Sequence, residues 1–328
     1  MKIPVLYIVV PCYNECDTLQ HTAPLFLNEL IRMIQKEKIS AKSRILLVDD
    51  GSTDSTWEII NILCKRSEFF EGVSLSRNQG HQSALYAGIM EAKDKSDIII
   101  TADCDGQDDI IAIEKMIDGY ISGSDIVYGV RKSRKTDTFA KKSSAGFFYR
   151  FLKLMGVETV HNHADYRLIT SEVAEVLSQF TEVNLYLRGI IPLVGFRSSV
   201  VEYDRKERKC GKSHYTLRKM ISLAINAITG FSVRPLRIIS VLGFFVSMLS
   251  FAGIIWILVQ YFNSNTVSGW SSTLCIVCFV SGVQLLSLGV VGEYIGKIYM
   301  EVKNRPRYII NKRAEKYLPE KENFKNEG

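Results

Sequence analysis

The first 130 residues alternate short apolar runs with longer segments of mixed polarity. The apolar runs are rich in Ile, Val and Leu and occupy 5–10, 44–49, 72–76, 97–101 and 125–130. The segments between them are predicted to be helices near 18–36, 54–66, 80–93 and 110–121. Continuous apolar strands separated by helices are typical of a mostly parallel sheet that is covered on both faces. This half of the chain is therefore predicted to have an α/β fold.

The pattern changes completely towards the end of the chain. No charged residue occurs between Ile238 and Gly292, and two apolar segments at about 238–262 and 273–296 flank a short polar linker. Each segment exceeds the roughly 20 residues that a helix needs to cross a bilayer. A hairpin buried in a soluble core would need another domain to cover it, and the sequence offers none. We expect a transmembrane hairpin at 237–297.

Charge sets the expected orientation of this hairpin. The linker is uncharged, whereas basic residues stand on both outer flanks: Arg234, Arg237, Lys297, Lys303, Arg305, Arg307, Lys312 and Arg313. By the positive-inside rule, both flanks face the cytoplasm. The preceding segment, 214–236, suits a helix in the headgroup plane, although an ordinary amphipathic surface helix fits nearly as well. The charged tail, 298–328, is also placed in the cytoplasm.

Polar motifs follow each predicted strand. They read PCYNE, DDGSTD, SRNQG, DCDGQDD and RKSR, in strand order. In open α/β sheets, ligands bind beyond the carboxyl ends of the strands. The five motifs are therefore predicted to meet at one crevice.

The fourth motif carries the most acid. Asp103 and Asp105 flank Cys104 directly after a strand, without Cys or His ligands at metal spacing. Carboxylates alone suit a hard cation, Mg²⁺ or Mn²⁺, shared with substrate phosphates, and Gln107 adds a neutral oxygen. The alternative is a solvated acidic turn, which we prefer for Asp108 and Asp109 as caps of the next helix.

The second motif repeats this arrangement with Asp49 and Asp50. Carboxylates at this edge can accept hydrogen bonds from a nucleobase or from ribose hydroxyls. Helix capping by Thr53 or Asp54 explains Asp54 but does not explain the two preceding acids.

Composition and charge limit the classes of binding partner that this chain is expected to have. The net charge is +6, and basic residues cluster at 131–135 and 205–212. Such runs are usually solvated or attract anionic lipid. They lie near the apolar segments and are not interleaved with exposed aromatic residues, which argues against nucleic acid. The cysteines show no framework spacing, as in a reduced, cytosol-facing protein.

Together these motifs resemble family 2 glycosyltransferases. PCYNE, VDDGSTD, SRNQGHQSAL, ADCDGQDD, YGVRKSR, HADYRL and GKSHYTLRKM stand in the order and spacing of that family, and the closing hairpin is typical of its bacterial polyprenyl-phosphate branch. The pattern is similar to dolichol-phosphate mannose synthase and bactoprenol glucosyltransferases. It covers nearly the whole chain.

The resemblance implies roles for individual residues. It implies a glycosyltransferase A-type catalytic domain at 1–213 and assigns Asp165 as the candidate catalytic base. The donor nucleotide would contact Pro11, Tyr13, Glu15, Asp49, Asp50 and Asp103. The metal, Mg²⁺ or Mn²⁺, would be held by Asp103, Asp105 and Gln107. The acceptor phosphate would contact Arg131, Arg208, Lys212 and His214, the last at a position where many relatives carry Lys.

The activity implied is inverting transfer of a hexose from a nucleotide sugar to polyprenyl phosphate at the bacterial cytoplasmic membrane. UDP-glucose is the expected donor, with UDP-N-acetylglucosamine and GDP-mannose as alternatives, and we expect a homo-oligomer. Because the second pKa of a phosphate monoester is near 6, the acceptor is mostly ionised at pH 7. We therefore expect Asp165 to serve at least partly to orient groups.

Three other functions would each account for part of the sequence. A processive polysaccharide synthase would carry Gln-x-x-Arg-Trp, and no Trp here follows an Arg. A metal-dependent phosphatase would leave DDGS unexplained. A non-catalytic lipid-binding scaffold or flippase subunit would not require intact acidic motifs, so an enzyme is the preferred interpretation.

Overall fold

The structure is a computed structural model that describes residues 3–131, 163–180, 182, 186–204, 232–262, 269–315 and 317. The chain divides into two compact units. The first comprises Met1–Phe139, Thr159–His214 and Pro306–Gly328, and the second comprises Ala140–Glu158 and Tyr215–Arg305. Of the segment 214–236, predicted to suit a helix in the headgroup plane, residues 214–231 fall outside the described residues. The domain boundaries proposed from the sequence stay predictions.

The described part of the first unit forms one eight-stranded sheet, in the order β7-β5-β6-β4-β1-β2-β3-β8. The strands are β1 (Leu6–Cys12), β2 (Arg44–Asp49), β3 (Phe70–Leu75), β4 (Ile98–Thr101), β5 (Ile126–Arg131), β6 (His163–Thr170), β7 (Ser198–Tyr203) and β8 (Ile310–Arg313). Strands β1 to β4 pair in parallel, as predicted. Strand β6 runs antiparallel between β4 and β5, so the sheet is mixed but mostly parallel.

Six helices accompany the described part of this sheet. They are α1 (Cys16–Gln35), α2 (Thr56–Arg66), α3 (His81–Ala92), α4 (Ala112–Ile121), α5 (Ser171–Ser178) and α6 (Leu187–Leu193). The first four follow β1 to β4 in turn and confirm the predicted βα alternation. The chain therefore returns to the same edge of the sheet after each helix, and this brings the polar motifs together.

Both faces of the central strands are buried, which explains their unbroken apolar sequences. In β1, Leu6, Ile8 and Val10 belong to the core shared with α1, α2 and α4. Val9 points to the other face, against α3. There, a Cβ on Gly88 would lie 2.3 Å from Val9 Cγ1, so only glycine lets α3 pack this closely.

The chain segment after the second unit returns to this sheet. Strand β8 pairs antiparallel with the edge strand β3. Just before it, the Tyr308 ring meets the Tyr86 ring of α3 edge-on, and the Arg307 guanidinium lies over the same Tyr86 ring. Arg313 makes two hydrogen bonds to Glu91 near the end of α3. We call residues 307–313 the clasp, because it holds both β3 and α3.

The second unit contains two long apolar helices, α7 (Arg234–Phe262) and α8 (Trp270–Val302). Both are long and apolar enough to cross a membrane, at Arg234–Gly253 and Phe279–Val302. Large apolar side chains on them, including Phe244, Leu249 and Leu285, are exposed in the isolated chain. The two predicted apolar spans are thus helices, and each continues several residues beyond the outer end that the sequence suggested.

Candidate active site

A cleft of about 280 Å³ lies at the carboxyl ends of β1 to β4. The motifs that follow these four strands all contribute to its wall. The lining residues are Pro11, Cys12, Tyr13, Glu15, Asp50, Asn78, Gly80, His81, Ala84, Asp103, Cys104 and Asp105. The predicted convergence of strand ends is therefore observed for four of the five motifs, and residues 132–134 of the fifth lie outside the described residues. Asp49, Gln107, Arg131 and Asp165 do not line this cleft.

The acids after β2 are fully engaged in hydrogen bonds. Asp49 accepts from Ser52 N–H at 3.0 Å and from Ser74 Oγ at 2.6 Å. Asp50 accepts from the backbone N–H groups of Gln79 and Gly80 at 2.8 and 2.9 Å. Burial raises the pKa of Asp50, and these two backbone donors oppose the rise. This acid pair therefore ties β2 to the loop that follows β3.

That loop depends on glycine at two points. Gly51 has a φ of +66°, and a Cβ there would lie 2.5 Å from the backbone carbon of Arg77. Gly80 has a φ of +88° and immediately precedes α3. Both angles favour glycine, because other residues rarely adopt the left-handed region. The turn directs His81 towards Asp103, after β4, and both His81 and Gln82 towards Asp165, on β6.

The acids after β4 are placed differently. Asp103 Oδ1 is buried and has no hydrogen-bond partner among the described residues. It lies 3.5 Å from His81 Nε2. Asp105 accepts a hydrogen bond from Gln107 N–H at 3.0 Å, and the Gln107 side chain is buried. Burial raises the pKa of Asp103 to about 6, and nearby carboxylates add to the rise while His81 opposes it.

This arrangement fits a divalent cation. A buried carboxylate oxygen without a donor is costly, and a bound cation would satisfy it. In the described part of the chain, His, Cys, Asp and Glu side chains form no cluster of three that could hold a metal. Two carboxylates are sufficient for Mg²⁺ when substrate phosphates and water complete its shell. The donor set therefore matches a metal that binds together with a diphosphate.

Asp165, on β6, is the centre of a buried ion-pair network. Arg167 and Arg188 both donate to its carboxylate, Arg188 through Nε at 3.0 Å and Nη2 at 2.7 Å. Gln82 Nε2 also donates to it at 3.0 Å, and His81 Nε2 lies 3.4 Å away. The carboxylate is thus held from four sides.

These contacts decide its ionisation. Burial alone would raise the pKa of Asp165, but the hydrogen bond from His81 and the charges of Arg167 and Arg188 outweigh it. The pKa of Asp165 lies well below its ordinary value. Burial would lower the pKa of His81, but Asp165 and Asp103 raise it overall. At neutral pH, Asp165 is therefore an ionised hydrogen-bond acceptor that binds protons weakly.

Arg131 ends β5 beside a second polar group. Its Nε donates to Tyr203 Oη at 3.3 Å, and Tyr203 Oη donates to Asp108 at 2.6 Å. Asp108 therefore holds Tyr203 and does not cap α4. The residue before α4 is Ile111, without a side-chain cap, so the capping interpretation of Asp108 and Asp109 was wrong. The other predicted acceptor contacts, Arg208, Lys212 and His214, lie outside the described residues.

His81 and Arg188 are among the residues of this site that were not singled out from the sequence. His81 is in the SRNQGHQSAL motif, but its position between two acids depends on the fold. Arg188 stands 23 positions after its partner Asp165 on a different element. The available signal was the spacing of Asp165 and Arg167, which places two opposite charges on one face of a strand.

Two sequence profiles cover most of the chain. Residues 7–177 match Glycosyl transferase family 2, and residues 234–298 match the GtrB C-terminal hairpin. The chain belongs to glycosyl transferase family 2. This confirms the resemblance read from the motifs, and the α/β sheet followed by two apolar helices is the architecture that the resemblance implied.

Relatives of this family 2 glycosyltransferase match along almost their whole length. The uncharacterized glycosyltransferase YkoT of Bacillus subtilis is 46% identical over 308 residues, covering 94% of this chain and 91% of the relative. The bactoprenol glucosyl transferase of Shigella phage SfII is 38% identical over 307 residues, covering 93% and 97%.

A solved structure is also similar. It is the mannosyltransferase PcManGT from Pyrobaculum calidifontis, in complex with GDP-Man and Mn²⁺, with a TM-score of 0.47 and 17% identity. The match covers 70% of this family 2 glycosyltransferase and 64% of that chain.

Proposed function

We propose that this glycosyltransferase transfers glucose from UDP-glucose to polyprenyl phosphate, with inversion at the anomeric carbon. One observation carries the proposal: the chain resembles bactoprenol glucosyl transferases over its full length, including the hairpin. The cleft supports it, because an acid with an unsatisfied buried oxygen stands where the diphosphate of a sugar donor would bind. We place the hairpin in the bacterial cytoplasmic membrane, with the catalytic unit on the cytoplasmic side.

The walls of the cleft suggest how the donor binds. Pro11, Tyr13 and Glu15 border one side of the cleft, and Asp50 borders the loop that follows β3. We assign these residues to the nucleotide. Asp103 and Asp105 would hold Mg²⁺ or Mn²⁺, which when bound would offset the negative charge of the departing diphosphate. Asp49 does not line the cleft, and each of its oxygens accepts a hydrogen bond from the protein, so we assign it to supporting the nucleotide site.

The acceptor reaction requires little proton transfer. A polyprenyl phosphate oxygen attacks the anomeric carbon from the side opposite the diphosphate; one C–O bond forms and the bond to the leaving oxygen breaks. The attacking phosphate is mostly ionised at pH 7. Asp165 has a lowered pKa and is paired with two arginines, so it is a poor proton acceptor. We assign it to orienting Arg188 and His81.

Membrane attachment follows from the acceptor. Each CH₂ of a polyprenyl chain withdrawn from the bilayer costs about 0.8 kcal/mol. The enzyme must therefore reach the phosphate at the headgroup plane, and a hairpin anchor keeps it there. Arg131, whose side chain is 28% exposed, is the described residue that we assign to the acceptor phosphate, because guanidinium groups match phosphate geometry.

Transfer of label tests the proposal directly. Purified full-length protein in lipid is incubated with undecaprenyl phosphate, Mn²⁺ or Mg²⁺ and labelled UDP-glucose, UDP-N-acetylglucosamine or GDP-mannose. We expect label from UDP-glucose to enter the lipid phase, and chelator to prevent it. Label from another donor would reassign the sugar. No label from any donor would favour a lipid-binding scaffold.

The role of Asp165 is tested separately at pH 8, where the acceptor is fully ionised. If Asp165 orients its neighbours, Asp165→Asn should keep measurable activity. Complete loss with undiminished binding of both substrates would instead show an obligatory base.

A further inference from the structure

The charges around Asp165 do not balance. One buried carboxylate is faced by two guanidinium groups, and His81 stands at its edge. Arg167 is almost fully buried, with 1% of its side chain exposed, and it neutralises Asp165 by itself. One cation is sufficient to neutralise one buried carboxylate, and each further charge taken out of water adds a desolvation cost. The second arginine, Arg188, therefore needs another explanation.

The free hydrogen-bond donors of Arg188 suggest one. Its Nε and Nη2 atoms bind Asp165 as a fork, and its Nη1 atom makes no hydrogen bond with the described residues. A guanidinium group carries five N–H donors, so the edge formed by Nη1 and Nη2 is available for a second anion. The Arg188 side chain is 37% exposed, whereas that of Asp165 is 4% exposed. The network thus presents a fixed cation to solvent.

This cation stands close to the acids that would hold the metal. His81 Nε2 lies 3.4 Å from Asp165 and 3.5 Å from Asp103, so a single imidazole separates the network from the acid pair. His81 also lines the cleft. Arg188 interacts electrostatically with Asp103 as well as with Asp165. An anion that contacts Asp103 through a metal would therefore lie near Arg188.

We propose that Arg188 binds a phosphate oxygen of a substrate and that Asp165 is the positioning residue that holds it for this task. The inference deepens the proposed function and rests on it. A phosphate oxygen could come from the donor diphosphate or from the lipid phosphate. Nearness to Asp103 favours the donor diphosphate. Guanidinium forks bind phosphate in pairs of parallel hydrogen bonds, which lysine cannot reproduce.

The test compares three variants of the full-length protein with the wild type. Arg188→Gln removes the charge and leaves Asp165 paired with Arg167, and Arg188→Lys keeps the charge without the fork. Arg197→Gln is the matched control, because Arg197 is an exposed arginine nine positions away, outside the site. Binding of UDP with Mn²⁺, of inorganic diphosphate with Mn²⁺ and of farnesyl phosphate is measured by calorimetry, alongside thermal unfolding.

The expected loss of affinity is that of a pair of charge-assisted hydrogen bonds. Arg188→Gln should weaken the binding of UDP and of diphosphate about 10- to 100-fold, Arg188→Lys should weaken it less, and Arg197→Gln should leave both affinities unchanged. If the binding of farnesyl phosphate is weakened instead, Arg188 binds phosphate on the acceptor side. Unchanged affinity for all three probes in a folded Arg188→Gln protein would overturn the proposal and leave Arg188 a structural ion pair.

A second measurement separates positioning from base catalysis. Asp165→Asn releases the Arg188 fork, so it should weaken UDP binding as well as slow transfer. If Asp165 acted only as a base, Asp165→Asn would lower kcat and leave the affinity for UDP unchanged. That result would overturn the positioning role. Wild-type protein that transfers no sugar would count against the proposed function. If wild-type protein transfers sugar and Arg188→Gln binds every probe with normal affinity, the result would count against this inference alone.

Discussion

The two acid pairs at the strand ends look alike in sequence but differ in structure. After β2, Asp49 and Asp50 receive four hydrogen bonds from the protein, two of them from the backbone of the loop before α3. After β4, Asp103 keeps one buried oxygen without a hydrogen bond from the described residues. The first pair is satisfied within the described part of the protein, whereas the second keeps an oxygen that a bound cation could satisfy.

The difference in hydrogen bonding indicates different roles: Asp49 and Asp50 shape the site, whereas Asp103 is placed to bind a ligand. Asp50 fixes the turn that precedes His81 through two hydrogen bonds that need no substrate. Asp103 carries a desolvation cost that the protein alone does not offset. The hydrogen bonds of the first acid pair are complete, whereas the unsatisfied oxygen of Asp103 in the second pair favours the binding of a cation.

The largest effect is expected from a substitution in the second acid pair, Asp103 and Asp105. Asp103→Asn removes the charge that a cation would pair with, so we expect glucose transfer to fall about 10²- to 10³-fold or more. Because burial disfavours the ionised form of Asp103 more than His81 favours it, the melting temperature should stay the same or rise. Transfer of label to lipid and thermal unfolding measure both. Asp94→Asn, at a carboxylate with a side chain 78% exposed, is the control.

The next largest effect is expected from a substitution in the first acid pair, Asp49 and Asp50. In Asp50→Asn, the side-chain amide cannot accept hydrogen bonds from both backbone N–H groups, and one of them loses its partner. We expect a loss of about 1–3 kcal/mol in the free energy of unfolding. Chemical denaturation in the absence of nucleotide measures it. Unchanged stability would contradict the shaping role of Asp50.

A smaller effect depends on pH and sharpens the contrast. The pKa of Asp103 in the metal-free protein is raised to about 6 from an ordinary value of 3.8, so the folded state binds the proton more tightly than the unfolded state. This contribution to stability is present below pH 4 and is lost as the pH rises through 6. With EDTA present, the stability difference between wild type and Asp103→Asn should therefore widen from pH 4 to pH 7. A constant difference would contradict the raised pKa.

The smallest effect is expected at Asp49. In Asp49→Asn, the amide oxygen still accepts from Ser52 N–H, and the amide nitrogen can donate to Ser74 Oγ, because a hydroxyl group also accepts. We expect a loss below about 1 kcal/mol, clearly less than for Asp50→Asn. Equal losses in the two variants would show that the hydrogen-bond partners do not set the cost.

The sequence was sufficient for much of the fold because its strongest signals are local. Unbroken apolar strands and the motifs after them predicted β1 to β5, α1 to α4 and the cleft. It was insufficient for β6, where buried Asp165 and Arg167 interrupt the apolar pattern and are tolerated only because they pair. Strands β7 and β8 are exposed edge strands with mixed polarity. Their pairing is fixed by tertiary contacts.

The same reasoning explains the candidate site. Asp50, Asp103 and Asp105 could be predicted because the first directly follows β2 and the other two come shortly after β4. Arg188 is 23 positions and His81 is 84 positions from Asp165 in the sequence. No local sequence pattern predicts contacts between residues so far apart in the chain. The mistaken capping role of Asp108 has the same origin, since its partner Tyr203 lies on β7.

The clasp has a practical consequence for producing this enzyme without its membrane anchor. A fragment that simply stops before α7 would also lack β8, and the freed edge of β3 would offer unpaired backbone groups to other molecules. It would lose the grip of Tyr308 and Arg313 on the helix that begins at His81. A water-soluble version is better made by joining the chain across the excised anchor, so that the last strand stays attached.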